Sequence, residues 1–261
     1  MDFVKYFARR LIDLSSRVIP MFIWKLIEKF ALRAQGKGWG ANSIHAEIQT
    51  IKTLADRLNL NEIICADVGA NVGSWALFFN RTFPSAKIIC FEPSTVAYKR
   101  LLEVTSGISE IECVNFAIST EPGEAIIYSD FPASGLASMS KRRLKHFKIE
   151  MKYEEHIRVT SLDAWIAENG ISPNILKLDI EGFELAALHG AQTLLKSLKI
   201  IQFEFGGANI DTRTFFQDFW YLLTDLQFKI YRLGPRGITY IVSYSENDET
   251  FITTNYIAVR G

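Results

Sequence analysis

The sequence predicts an α/β chain in which a mostly parallel sheet carries helices on both faces, with further helices ahead of it. Three observations lead there. Short apolar runs of strand length, first at residues 63–68, 86–91 and 111–116, alternate with amphipathic segments of helical period, and strands joined by helical crossovers lie parallel. The first runs are almost wholly apolar, as strands covered on both faces are. The first closes on Asp67 and a turn containing Gly69 and Gly73, and the second closes on Glu92 and Pro93. Polar groups therefore collect where an open parallel sheet has its crevice.

The elements follow in order. Helical patterns cover residues 2–18, 20–34 and 43–58, and Pro20 divides the first two. Lys5, Arg9, Arg10, Asp13, Arg17, Lys25, Glu28 and Lys29 interrupt this segment, so no stretch reaches the roughly 18 uncharged residues of a spanning helix. It also lacks the small-residue cleavage site of a signal peptide. The expectation is a cytoplasmic protein whose first two helices cover the cleft, form a homodimer contact, or lie peripherally on the inner face of the membrane. Trp24 and Trp39, beside a hinge at Gly36 to Gly40, are available to stack on a sugar or a lipid interface.

After the strands at 63–68, 86–91 and 111–116 the alternation breaks. Two strand-like pieces, AIIYS and HIRVT, surround a flexible FPASGLASMS stretch with Ser134, Gly135 and Ser138. This reads as an insertion at about 120–160 that closes over the site as a lid or binding loop. A helix at 162–168, a strand at 174–178 and three more strands at 200–205, 228–233 and 255–259 complete a sheet of about seven. Residues 1–60 form an amino-terminal helical segment and 61–261 one domain.

The turn after the first strand fits a nucleotide-shaped cofactor. Glycine lets the backbone bend with positive φ and approach a ligand closely, and the following helix points its first amides at it. Hydride-transfer dinucleotide sites want G-x-G-x-x-G; here Ala70, Asn71 and Val72 separate Gly69 from Gly73, so the pyrophosphate cradle is missing. Asp67 would repel a phosphate but accept from an ammonium group, which suits S-adenosylmethionine. Glu92 is placed to hold both ribose hydroxyls. Asn115, Ala117 and Ile118, at the end of the third strand, are placed to flank an adenine. Asp67, Gly69, Asn71, Gly73, Glu92, Asn115 and Ala117 are the expected cofactor residues; an ordinary strand-to-helix turn is the plainer alternative.

The series DVGANVGSWA, CFEPS, VNFAIS, TSLD and ILKLDIEGFELAALHGA resembles the FkbM family of S-adenosylmethionine-dependent methyltransferases, from about Ile63 to the NYIAV segment near the carboxyl end. The resemblance implies a Rossmann-like class I methyltransferase fold with a seven-stranded, mostly parallel sheet whose last strand is antiparallel. It also implies methyl transfer to a hydroxyl of a sugar, glycan, glycolipid or related secondary metabolite. A non-catalytic scaffold that keeps the cofactor corner is the alternative.

Such a transfer needs positioning and removal of one proton from the acceptor. In residues 175–180 the side chains alternate, so Lys177 and Asp179 share a face. A lysine in a central strand needs an acid partner, and Asp179, Glu181 and Glu204 are the candidates. Lys177 is then either catalytic or part of a structural ion pair. Asp179, with Glu181 and Glu204 converging on it, serves as a general base or holds Mg2+, because carboxylates without histidine favour that ion over zinc.

Composition adds exclusions. The 261 residues carry 29 Lys plus Arg and 29 Asp plus Glu, a formal net charge of zero, which gives no basic excess for nucleic acid. Lys141, Arg142, Arg143, Lys145 and Lys148 cluster around His146 but are followed by Glu150, Glu154 and Glu155. The run reads as a solvated face, with an anionic-substrate patch as the alternative. Cys65, Cys90 and Cys113 sit inside apolar strands as small core residues, and neither they nor His45, His146, His156 and His189 have metal-ligand spacing.

Overall fold

The computed structural model describes residues 2–40 and 44–261; Ser43, where the third predicted helix starts, lies outside the described residues. Helices α1 (Asp2–Val18), α2 (Met21–Ala34) and α3 (Ile44–Arg57) come first. The alternating body follows as β1 (Ile64–Val68), α4 (Ser74–Thr82), β2 (Lys87–Phe91), α5 (Thr95–Thr105) and β3 (Ile111–Val114). The insertion holds β4 (Ala117–Ile118), β5 (Gly123–Ser129) and β6 (Tyr153–Thr160). Next come α6 (Leu162–Asn169), β7 (Ile175–Leu178), α7 (Glu184–His189), β8 (Ile200–Phe205), α8 (Ala208–Thr212), α9 (Phe216–Asp225), β9 (Lys229–Gly234), β10 (Gly237–Tyr240) and β11 (Thr254–Val259).

The main sheet runs β10-β9-β11-β8-β7-β1-β2-β3. Strands β3, β2, β1, β7 and β8 are parallel, and β11 inserts antiparallel between β8 and β9. The seven expected strands are thus present, with the expected antiparallel last strand. The structure adds an eighth: β10 folds back antiparallel on β9 at the edge, and its mostly exposed GITY sequence carries no apolar run to announce it.

Each face of the sheet has its own core. Ala66, Val68, Ile89, Phe91, Leu176, Leu178, Phe203 and Phe205 point to the side covered by α6, α7 and α9. Cys65, Ile88, Cys90, Ile175 and Ile200 point to the side covered by α3 and α4, where Ile48, Ile51, Trp75 and Phe79 pack. Helix α3 therefore belongs to the body's core, although the sequence reading groups it with the amino-terminal segment. The period of two sends Asp67, Lys177 and Gln202 to this same side, and parallel register sets them in one row, Asp67 beside Lys177 and Lys177 beside Gln202.

In the insertion, β5 and β6 pair antiparallel and β4 joins β6 in parallel, making a separate three-stranded sheet. The FPASGLASMS loop is tied back to it, since the amides of Tyr128 and Ser138 each donate to the other's carbonyl, at 2.8 and 3.0 Å.

The segment expected as a hinge is docked instead. Gly38 N donates to Thr254 Oγ1 at 2.9 Å, Lys37 Nζ donates to Asn247 O, and Arg232 Nη1 donates to Gln35 O at 3.4 Å. The Arg33 guanidinium covers the Trp39 ring at 5.2 Å. Ahead of this anchor, α2 buries none of its residues, and Val18, Met21, Phe22, Leu26 and Phe30 are all exposed. Among the described residues no helix is long and apolar enough to cross a membrane.

Candidate active site

The turn after β1 is built by close backbone approach. Gly69 has φ +82°, and a Cβ there would stand 1.9 Å from Asp179 O, so only glycine lets the ends of β1 and β7 come this near. The Gly69 and Ala70 amides donate to Phe91 O at 3.0 Å, which fixes the turn against the end of β2. Gly73 serves packing, because a Cβ on it would meet Leu101 Cδ1 at 2.9 Å and Val104 Cγ2 at 3.0 Å on α5.

Glu92 sits at the centre of this corner. Its Oε2 accepts from Asn71 N at 2.8 Å and its Oε1 from Ser94 N at 2.9 Å, which leaves each oxygen a lone pair for a ligand. Burial pushes its carboxyl up to about 7, against those two hydrogen bonds. Asn115 Nδ2 donates to the carbonyls of Glu92 and Pro93, both at 2.9 Å. Asn115 thus holds the loop that carries Glu92.

A cavity opens above these groups. Gly69, Asn71, Phe91, Glu92, Phe116, Ala117 and Ile118 line it from the sheet, Ser134, Gly135, Ser138 and Met139 from the insertion, and Asp179 and Glu181 from the loop after β7. Of the expected cofactor residues, Gly69, Asn71, Glu92 and Ala117 stand on its wall; Gly73 and Asn115 act from behind. Phe116 and Ile118 form an apolar side that sequence reasoning only touched, and the aromatic in VNFAIS was the available sign.

Asp67 differs from expectation. It is fully buried below the cavity and does not line it. Its Oδ1 accepts from Lys177 Nζ at 2.8 Å, while Oδ2 has no hydrogen-bond partner. Lys177 Nζ also donates to Gly69 O at 3.1 Å and lies 3.8 Å from Asp179. Burial works against the ammonium, but Asp67 and then Asp179 outweigh it and hold Lys177 above its ordinary value. The acid that pairs Lys177 is therefore Asp67, next to it in the ladder, rather than Glu181 or Glu204. The pair is a strut under the glycine turn.

Asp179, Glu181 and Glu204 do converge, with one oxygen from each within 4.8 Å of the others. Glu181 has φ +52° and is ion-paired with Arg142. Burial pushes its carboxyl up to about 8, with Arg142 opposing and Asp179 and Glu184 adding. Burial, then Asp179, Glu181 and Glu184, raise Glu204 well above its ordinary value. Glu184, unnoticed in the sequence, accepts from Ile180 N at 2.9 Å and Gly182 N at 3.0 Å and so shapes the loop. Arg142 is the other omission. Its run read as a solvated face, yet its side chain is only 8% exposed, wedged between Glu181 and Asp211.

The chain is similar to known methyltransferases. Methyltransferase 1 of Beauveria bassiana is 24% identical over 163 residues, covering 56% of this chain and 66% of that protein. The hexuronic acid methyltransferase AglP of Haloferax volcanii is 23% identical over 175 residues, covering 66% of this chain and 68% of that protein. The matched part thus spans about two thirds of each relative's length. Among solved structures, a precorrin-6y C5,15-methyltransferase from Geobacter metallireducens has a TM-score of 0.42 at 10% identity, covering 80% of this chain and 87% of that one. A sequence model described as the methyltransferase FkbM domain matches residues 67–230. The chain belongs to the FkbM methyltransferase domain family, as its motifs anticipated, and its sheet is the class I methyltransferase sheet.

Proposed function

We propose that this FkbM domain transfers a methyl group from S-adenosylmethionine to a hydroxyl of a sugar or sugar-containing acceptor. The observation that carries this reading is that the Glu92 corner and the Asp179–Glu181 loop open into one cavity. The residues present suit the cofactor: the buried Asn71 Oδ1 on the wall has no partner, Glu92 keeps acceptor capacity, and Phe116 and Ile118 offer an apolar slot. The hexuronic acid methyltransferase among the relatives favours a sugar acceptor.

When bound, the cofactor supplies an electrophilic methyl group. The chain's own work is to orient the acceptor oxygen, keep water out and receive a proton. We assign proton acceptance to Asp179, whose side chain is 47% exposed and lines the cavity. Glu204 and Glu181 surround it, and Lys177 stands behind it at 3.8 Å. A divalent cation on the three carboxylates is the competing arrangement; Arg142 already neutralises Glu181, which favours proton acceptance.

Among the described residues, none of α1 or α2 lines this cavity or the one beyond Arg142. We assign these two helices to an anionic membrane surface, on the basis of their unburied apolar side chains and interspersed Lys and Arg.

The test pairs calorimetry with turnover. The chain should bind S-adenosylhomocysteine saturably and, with S-adenosylmethionine, methylate pooled cell-envelope saccharides. Asp179→Asn should keep that affinity within about twofold while turnover falls roughly 100-fold or more. Near-normal turnover in the variant would return Asp179 to a structural role, loss of activity in EDTA would favour the cation, and cofactor binding without turnover on any hydroxylated acceptor would favour the scaffold.

A further inference from the structure

Beyond the Arg142–Glu181 ion pair lies a second cavity of about 480 Å³, within the roughly 300–1,000 Å³ of small-molecule sites. Its lining includes Lys141, Arg142, Arg143, His146 and Arg213 against one acid among the described residues, Asp211. These cations are not equally engaged. Lys141 is ion-paired with Glu154 at 2.7 Å. Arg142 is held by Glu181 and, at 3.5 Å, by Asp211, with its Nε buried and without a hydrogen-bond partner. Arg143 and Arg213 make no ion pair among the described residues.

A single unpaired surface arginine is ordinary. Two of them on one concave wall, next to a cluster of carboxylates, are a field with a direction. Phe147, Ile210 and Phe251 supply apolar surface in the same cavity, as one face of a sugar ring requires. A neutral acceptor would leave the guanidiniums unused. An anionic one would be repelled by Asp179, Glu181 and Glu204 unless its charge lay on the far side of Arg142, which is where Arg143 and Arg213 stand.

We propose that this cavity holds the far end of the acceptor and that this end carries an oxyanion, a carboxylate or a phosphate, held by Arg143 and Arg213. Arg142 stands between that charge and the carboxylate cluster, so the oxyanion and the reacting hydroxyl lie at opposite ends of the bound sugar. Fork-shaped guanidiniums suit both oxyanions through paired N–H donors. The proposal rests on the methyltransferase reading for the hydroxyl end, while the charge end is read from the cavity alone.

The experiment titrates the full chain, with and without S-adenosylhomocysteine, with D-glucuronate, glucose 1-phosphate and glucose by calorimetry. At least one of the two anionic sugars should bind roughly tenfold tighter than glucose, and which one does so separates carboxylate from phosphate. An Arg143→Gln, Arg213→Gln double variant should lose that preference while keeping its Tm and its S-adenosylhomocysteine affinity. The proposal is overturned if glucose binds as well as both anions, if neither anion saturates by about 10 mM, or if the double variant keeps the preference. Failure of S-adenosylhomocysteine to bind would count against the methyltransferase reading instead, since the sugar titration stands without it.

Discussion

At Glu92 one buried carboxylate accepts two backbone amides, at 2.8 and 2.9 Å, and titrates near 7 instead of 4.5 because burial disfavours its charge. The folded chain therefore holds a proton there that the unfolded chain has lost. Its contribution to stability is present below about 4.5 and disappears as pH rises through about 7. Binding of ribose hydroxyls has the opposite sign, because only the ionised group is a pure acceptor. Affinity for S-adenosylhomocysteine should accordingly rise about tenfold between pH 6 and pH 8, and Glu92→Gln should flatten that slope. Glu92→Ala should weaken binding by roughly 30- to 150-fold, about 2 to 3 kcal/mol. Unchanged calorimetric affinity in Glu92→Ala would remove the residue from the cofactor site. Residue types at strand ends were readable because acids seldom end apolar runs without a reason. The direction of Asp67 was not readable, since its partner Lys177 is 110 residues away and becomes its neighbour only through the order of β1 and β7.

Helix α3 shows the same limit one level up. Glu47, 5% exposed, accepts from Trp75 Nε1 at 3.2 Å and Gln202 Nε2 at 2.7 Å through Oε2, and from Asn255 Nδ2 at 2.7 Å through Oε1. One side chain thereby fastens α3 to α4, β8 and β11 beneath Lys177. Glu47→Ala would take the acceptor from two buried donors, Trp75 Nε1 and Gln202 Nε2, and denaturant unfolding should report a loss of about 2 kcal/mol or more. A change under about 0.5 kcal/mol would mean that the apolar stripe of Ile48, Ile51 and Leu54 docks the helix by itself. The stripe was legible as a helical period; the polar clamp was not, because a lone Glu in a helix usually faces water. Strands β1, β2, β7 and β8 were legible as apolar runs, whereas the exposed edge strand β10 was not. The KRR run shows the converse error. Charge composition suggested solvent, but Arg142 turns inward between Glu181 and Asp211.

Across the whole molecule the charge is zero, yet it is unevenly distributed. Residues 1–34 hold seven Lys or Arg against three Asp or Glu, so the remainder of the chain is net acidic. An anionic bilayer would attract α1 and α2 and repel the body, which orients the molecule without a membrane span. The docked 35–40 segment would transmit that orientation, because Lys37 and Gly38 are hydrogen-bonded to the body. Phe22 and Phe30 are 69% and 76% exposed, so replacing them changes the surface and leaves the fold alone. The full chain should float with vesicles rich in phosphatidylglycerol and remain behind with neutral ones, and about 1 M salt should release it by screening. Phe22→Ser with Phe30→Ser should abolish flotation. Lys25→Gln with Lys29→Gln should weaken it by roughly 30-fold, at about 1 kcal/mol per charge. Both variants should keep S-adenosylhomocysteine affinity, since none of the four replaced residues lines either cavity. Equal binding to neutral and anionic vesicles, or flotation that survives the Phe22 and Phe30 changes, would leave these helices without a membrane role and turn attention to a second copy of the chain as what covers them.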